Sequence, residues 1–319
     1  MSRIRPLQGR NYGPAYSYPM GLWFTLFFVF PLAIIVVYSF LHKGVHGGVE
    51  WTVTLKDYLP LSFQNIKQLI GDIFSQFTLK AYQQMFSASY GRLFVRTLWV
   101  TFLATFFCIL IALPCGYAMA RSKHQTLLLF LIIIPFWTNS LIRINAWIAI
   151  LGNEGFINET LKKIGLIKDS LPLLYNQRAV VLVLIYMYLP YAILPIFTSM
   201  DKFDFSLLEA ARDLGASKAQ SMIRILLPNV RTGIITAVIF TFIPIFGAYT
   251  VPLLVGGKDS YMIGNVIVDQ VTKIRNWPLA SAFSMVITVV STIGVLWMMR
   301  SSAEDAARLK QTGKQETAV

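Results

Sequence analysis

An all-α membrane protein that crosses the bilayer six times is the fold class this sequence predicts, on three observations. Of its 319 residues, 55% are hydrophobic and only 13% charged, which is more apolar surface than one soluble core can hide. Six stretches reach the roughly 20 mostly apolar residues that a spanning helix needs, at 21–41, 97–120, 126–150, 179–200, 232–255 and 280–299. None of the six contains Asp or Glu, and Arg143 is the one basic residue within them.

Arg3, Arg5 and Arg10 precede the first stretch in the manner of a secretory signal. That stretch is longer than a signal core of about 7–15 residues and no small-residue cleavage site follows, so it reads as a retained span. Residues 1–20 are then an N-terminal tail, 21–300 the transmembrane domain and 301–319 a C-terminal tail. In the long connection 42–96, Phe74, Phe77, Leu79, Tyr82, Met85 and Phe86 alternate with polar residues, as in a helix lying along the membrane surface. A solvated loop with one helical turn accounts for the same pattern. Cys108 and Cys115 share one apolar run with no histidine near them and read as small packing residues rather than a metal pair. A second amphipathic helix is expected at 156–167, capped by Asn158. Pro31, Pro114, Pro135, Pro190, Pro195, Pro244 and Pro252 fall within the stretches, where neighbouring helices can satisfy the carbonyls that a proline frees.

Six crossings put both ends on one side. Counting Lys and Arg with the ends inside gives 14 against 13, so the positive-inside rule leaves the orientation undecided. The formal charge of +13 is better placed at membrane edges than on nucleic acid in so apolar a chain.

The segment 201–231, between the fourth and fifth stretches, has explicit helix ends. Ser206 and Glu209 have capping-box spacing, Gly215 can take a left-handed conformation that stops the helix, and Ser217 can cap a second helix running to Pro228. Arg212, Lys218, Arg224 and Arg231 on such a pair imitate a DNA-reading helix-turn-helix, but tethering between two spans leaves little room for a duplex.

The spacing Glu209-Ala210-Ala211, Gly215, Ile225, Leu227-Pro228 resembles the hallmark of binding-protein-dependent transport permeases at every fixed position. The resemblance implies a bundle like that of type I ABC importer permeases, with 205–217 as a coupling helix docked on an ATPase. Glu209, Ala210, Ala211, Arg212, Asp213 and Gly215 would make that contact. Small Ala210 and Ala211 allow close backbone approach, and Arg212 and Asp213 can pair at the rim. The implied partners are two ATPase copies, a second permease, a periplasmic or extracellular solute-binding protein and membrane lipid. The implied location is the bacterial inner membrane, with both termini cytoplasmic.

Pro135–Arg143, Leu208–Ser217, Ile263–Ile267 and Arg275–Pro278 are similar to the permeases of spermidine/putrescine importers. Related permeases for opines, iron or thiamine share parts of these motifs. No phosphate-binding loop occurs: Gly256-Gly257-Lys258 lacks the strand, spacing and hydroxyl. No hydrolase elbow or zinc-protease helix occurs either. The chain is expected to have no catalytic or metal-binding residues and no cofactor of its own, with ATP and Mg held by the partner ATPase. An ion-coupled secondary transporter is the rival class, opposed by the scarcity of ionisable groups in the spans.

A polycation crossing spans without carboxylates would rely on aromatic faces. Trp137, Trp147, Tyr186, Tyr188, Tyr191 and Tyr249 are the rings available, although Trp and Tyr also gather at membrane interfaces without any ligand. Thr138 and Asn139, beside Pro135, would present polar groups where a broken helix lines a cavity. Asp269 is the carboxylate best placed to meet an incoming cation, or else a solvated loop acid. The substrate-path candidates are therefore Trp137, Thr138, Asn139, Tyr186, Tyr249 and Asp269. Arg143 is expected to reach the headgroups or to pair with Glu154.

Overall fold

The computed structural model describes residues 13–51 and 63–316. Arg3, Arg5, Arg10 and part of the 42–72 stretch lie outside the described residues, as does most of the 1–20 tail. The chain forms two compact units, one made of residues up to 85 with 270–285, the other of 86–269 with the remainder of the C-terminal helix.

In the first unit, α1 (Gly13–Phe24) continues through a π-helical turn (Thr25–Val29) into α2 (Phe30–Ser39). The π turn sits just before Pro31, whose missing N–H disrupts the regular ladder. Tyr18–Ser39 is long and apolar enough to cross a membrane, and its most apolar window buries no residue within the protein. A two-residue hairpin follows that the sequence reading did not contain: β1 (His42–Lys43) pairs antiparallel with β2 (Val49–Glu50). The single surface helix expected after it is two helices, α3 (Phe63–Ser75) and α4 (Lys80–Met85). They separate because α4 is held to the end of α2. Thr78 N–H donates to the Phe40 carbonyl (2.6 Å), Tyr82 Oη donates to Ser39 Oγ (2.9 Å), and the Phe40 ring meets Phe77 and Tyr82. Met85 is buried there, whereas Phe74 and Phe86 stay exposed.

The second unit contains α5 (Ala88–Ala120), α6 (Gln125–Trp137), α7 (Ser140–Leu151), α8 (Phe156–Lys163) and α9 (Gln177–Asp201). After α9 come α10 (Ser206–Asp213), α11 (Lys218–Ser221), a second π turn (Met222–Leu226), α12 (Leu227–Asn229), α13 (Arg231–Phe246) and α14 (Thr250–Val255). Helices α15 (Ile263–Thr272) and α16 (Trp277–Glu316) complete the described chain. The helix of α16 therefore runs through most of the stretch expected to be a C-terminal tail.

Helix α9 is the centre of this unit, packed against both α5 and α13. Its partners offer small residues to it. The buried face of α5 includes Thr101, Ala104, Thr105, Cys108, Ala112 and Gly116, a spacing that lets helix backbones approach closely. A Cβ on Gly116 would lie 2.8 Å from Ile196 Cγ2, and one on Gly233 of α13 would collide with Ser199 and with the Pro195 carbonyl. Cys108 packs as expected, fully buried with Sγ donating to the Ile185 carbonyl (3.6 Å).

Among the described residues, four helices are long and apolar enough to cross a membrane, and up to six spans result if each of two bent helix pairs counts as one. The stretch 126–150 is not one helix. It breaks at Thr138–Asn139, and the pair Gln125–Trp137 and Ser140–Lys163 is bent by 93°. Pro135 and the cap at Asn139 account for the break, because Asn139 Oδ1 accepts the Leu141 N–H (2.8 Å) and starts a new helix. The stretch 232–255 is likewise divided, into α13 and α14, at Gly247–Tyr249.

Asn158 does not cap α8; Gly155 stands at the N-cap. The Asn158 side chain is fully buried, donating to the Gly152 and Leu171 carbonyls (2.9 and 3.0 Å) and accepting the Leu171 N–H (2.8 Å). Satisfying three buried backbone groups outweighs one exposed cap.

The α9–α13 crossing yields a stability test. Gly233→Ala should cost about 1–3 kcal/mol through overpacking, read as a lower melting temperature of the detergent-purified protein. Gly294→Ala is the control, since a Cβ there meets nothing within 4 Å. Equal melting temperatures for the two variants would contradict the close crossing.

Candidate functional site

The segment joining α9 to α13 is built around α10. Its start differs from the expected capping box. Phe205 occupies the N-cap without a side-chain bond, Ser206 lies inside the helix, and Asp204 Oδ1 accepts the Ser206 N–H (3.0 Å). An ionised carboxylate is the stronger acceptor for helix N–H groups, so Asp204 takes the place assigned to Ser206. Hydrogen bonds from the Ser206 side chain and then its N–H hold the Asp204 carboxyl below the usual carboxylate range.

The end of α10 matches expectation. Gly215 has φ +92°, its N–H donates to the Arg212 carbonyl (2.9 Å), and the Ala216 N–H donates to Ala211 (3.0 Å). This pair of bonds forms a Schellman stop, which needs a residue tolerant of the left-handed region. Ser217 then caps α11 reciprocally with Gln220: Ser217 Oγ accepts the Gln220 N–H (3.2 Å), and Gln220 Oε1 accepts the Ser217 N–H (2.9 Å). The helix does not stop at Pro228. A π turn at Met222–Leu226 carries it on to Asn229, because widening the ladder accommodates the missing N–H.

The segment has two faces. Leu208, Ser221 and Leu226 are buried, at 1%, 1% and 0% exposure. Leu207, Glu209, Ala210, Asp213, Leu214 and Ile223 are exposed, Leu214 by 89%. The sequence reading singled out the motif's acid, alanines and glycine and missed the leucines, although Leu207 and Leu214 stand seven residues apart on one face of the helix. The expected rim pair is absent: Arg212 Nε and Nη2 are buried without a hydrogen-bond partner. Glu209 faces Arg121 instead (3.9 Å).

Arg121 follows the last turn of α5. Its Nη1 donates to Tyr117 Oη (3.0 Å), and its guanidinium lies over the Tyr117 and Phe205 rings at 5.9 and 5.6 Å. Those rings meet edge to face at 5.8 Å. Gln125, at the start of α6, donates to the Ala120 carbonyl (3.0 Å) and to Asp201 Oδ1 (3.1 Å).

The substrate-path candidates fall on three stretches. Trp137, Thr138 and Asn139 share the α6–α7 break, where Trp137 is 79% exposed and the Asn139 side chain is engaged in capping. Tyr186 is half-buried and meets Trp147 edge-on at 5.4 Å. Tyr249 is exposed at the start of α14, and its carbonyl accepts Asn265 Nδ2 (2.9 Å); Asn265 is on α15, the helix that carries half-buried Asp269. Arg143 forms no ion pair with Glu154. Its guanidinium lies 4.6 Å above the Phe136 ring, with Nε and Nη1 buried and without an acceptor. A groove of about 620 Å³ between α9 and α13 adds Thr198, Ser199, Thr232 and Thr236 to the polar surface within the spans. These hydroxyls carry no motif and were not singled out from the sequence. Among the described residues no group of three or more His, Cys, Asp or Glu could hold a metal ion.

Comparison with known proteins gives consistent matches. The profile of the family described as "Binding-protein-dependent transport system inner membrane component" matches residues 104–303. The spermidine/putrescine transport system permease protein PotB of Escherichia coli (strain K12) is 39% identical over 228 residues, 71% of this chain and 83% of that one. PotB of Haemophilus influenzae is 37% identical over 282 residues, 88% of this chain and 90% of that one. Among solved structures, a bacterial ABC transporter importing the acidic polysaccharide alginate has a chain that superimposes with a TM-score of 0.67 at 16% identity. The superposition covers 92% of this chain and 96% of that one, and at this identity it shows the shared fold.

The Asp204 bond at the start of α10 has a pH signature. A carboxyl whose pKa is lowered on folding stabilises above its unfolded value, about 4, and that contribution disappears as pH falls through the lowered value. Amide exchange at Ser206–Leu208, corrected for intrinsic rates, should stay level from about pH 7 to 5 and quicken below about pH 4. Asp204→Asn should abolish the acid-dependent step. An identical profile in the variant would show that Asp204 does not hold the helix start.

Proposed function

The chain belongs to the family of binding-protein-dependent transport system inner membrane components, and from that premise we propose that it translocates a polyamine, spermidine or putrescine, across the inner membrane. It is a permease subunit of an ABC importer. The observation that carries the mechanical part of the reading is α10, a two-turn helix closed at both ends with an apolar tip facing outward. A short capped helix moves as one body, so a force on its tip reaches the spans without being absorbed by bending.

In this reading an ATPase covers Leu207, Ala210 and Leu214, while Glu209, Ala211, Arg212, Asp213 and Gly215 shape the contact. Two ATPase copies bind and hydrolyse ATP with Mg, a second permease completes the pathway, and an external solute-binding protein delivers the substrate. The segment 201–231 and both termini lie on the cytoplasmic side, with six crossings between residues 21 and 300. Lipid surrounds the exposed apolar faces, and nucleic acid has no part.

Polyamine is favoured as substrate by the likeness to PotB. The six apolar stretches hold no carboxylate, so the ammonium groups would pass along aromatic faces and neutral acceptors. Trp137, Tyr186 and Tyr249 supply rings, Thr138 and Asn139 supply acceptors at the helix break, and Asp269 meets the cation on the outer side. Arg143, already seated on an aromatic ring, is assigned to structure rather than to substrate contact.

Uptake of labelled putrescine and spermidine by cells with and without the gene tests the substrate. Saturable, ATP-dependent uptake lost on deletion is expected, and unchanged uptake of both would exclude polyamine. Glu209→Ala and Gly215→Val should insert normally yet lower uptake about tenfold or more. Normal uptake in both would remove α10 from coupling. Trp137→Ala should raise the half-saturating concentration about 2- to 30-fold, the range of one cation–π contact, and an unchanged value would take Trp137 off the path.

A further inference from the structure

The turn between α5 and α6 is tied to the coupling segment at both of its ends. At one end Gln125 holds Asp201, the last residue of α9, at 3.1 Å. At the other, Arg121 reaches the lead-in to α10 through the Phe205 ring and reaches α10 itself through Glu209. Its own anchor is Tyr117, one turn back on α5, at 3.0 Å. The Phe205 ring is held in turn by Tyr117 and by Phe203, edge-on at 5.8 and 5.4 Å. A planar guanidinium suits this position, since it can stack on rings while its edge donors reach two different acceptors.

Resting on the permease reading above, we infer that Arg121 is a positioning residue for transport: it sets the direction of the coupling helix and carries its displacement to the α5–α6 junction. Without it, motion of α10 reaches the spans through its chain connections to α9 and α11 and through buried Leu208. With it, α5 and α6 are drawn along at the same time. The contact directs more than it stabilises. Both side chains of the Arg121–Glu209 pair are well exposed, 44% and 65%, and the separation is 3.9 Å, so the pair contributes little to folding. Removing it should therefore leave the protein folded and free α10 to move without its load.

The neighbouring charges are compatible with this role. Glu209 is the acid that acts on the Arg121 guanidinium, and half-buried Arg212 of α10 also bonds the Tyr117 hydroxyl, so two cations meet at that ring. Lys123 and His124 are exposed in the same turn as Arg121.

The test uses the complete transporter in proteoliposomes, with ATP hydrolysis and substrate import measured on the same preparation. Arg121→Gln should leave co-purification of the ATPase unchanged and raise the ATP consumed per substrate imported at least about threefold. Arg121→Lys keeps the charge and the ring contact and should restore part of the ratio. A ratio unchanged in Arg121→Gln overturns the inference, as does Arg121→Lys behaving no better than Arg121→Gln. Loss of the ATPase from the Arg121→Gln complex also overturns it, because Arg121 would then serve assembly. Failure of the wild-type chain to bind any ATPase would instead sink the permease reading itself.

Discussion

Close approach of α5 and α13 to α9 is the constraint on which the larger unit depends. Between helices surrounded by lipid, apolar side chains gain nothing by leaving one apolar medium for another, so association rests on fit and on the few polar contacts available. Gly116 and Gly233 supply the fit, each at a point where a Cβ would strike α9. Two buried clusters follow along α9 from this arrangement. One gathers Ile144, Val183, Leu184 and Met187, with Trp147 and Tyr186 packed on it. The other gathers Ile193, Ile196, Phe197 and Met200.

The second cluster explains how α10 can be both exposed and well placed. Leu208, Leu226 and Val230 belong to it, so the segment 201–231 is seated on the same side chains that finish the α9 packing. Its inner residues are continuous with the span interior, and its outer residues stand clear. The first cluster has the rings expected to meet a cation. One continuous helix, α9, therefore runs between the aromatic region and the segment 201–231, with Pro190 and Pro195 lying between the two.

Much of this was legible in the sequence because it depends on local signals. Six apolar stretches, the left-handed glycine at 215 and the Ser217 cap each follow from a handful of adjacent residues. The misreadings share a cause, which is competition from groups distant in sequence or stronger in kind. Ser206 had the spacing of a cap, but Asp204 offered a charge. Asn158 had the position of a cap, but three buried backbone groups claimed its amide. The stretches 126–150 and 232–255 had the composition of straight spans and gave no measure of how sharply Pro135 with Asn139 would turn the chain, or that the helix would be interrupted at Gly247. Arg121 could not be singled out at all, since nothing near it in sequence names Phe205 or Glu209 as neighbours 84 and 88 positions away.

The size of α10 sets a scale for the whole device. Eight residues at 1.5 Å each make a rod about 12 Å long, so tilting it by about 10° moves its far end about 2 Å. That displacement equals the difference between a hydrogen bond at about 3 Å and a gap of about 5 Å that no longer binds. A rotation of that size is therefore enough to make or break individual contacts at the rim of the segment. A longer rod would move its end further for the same tilt, so at this length contacts at the rim change only when α10 turns by an angle of that order.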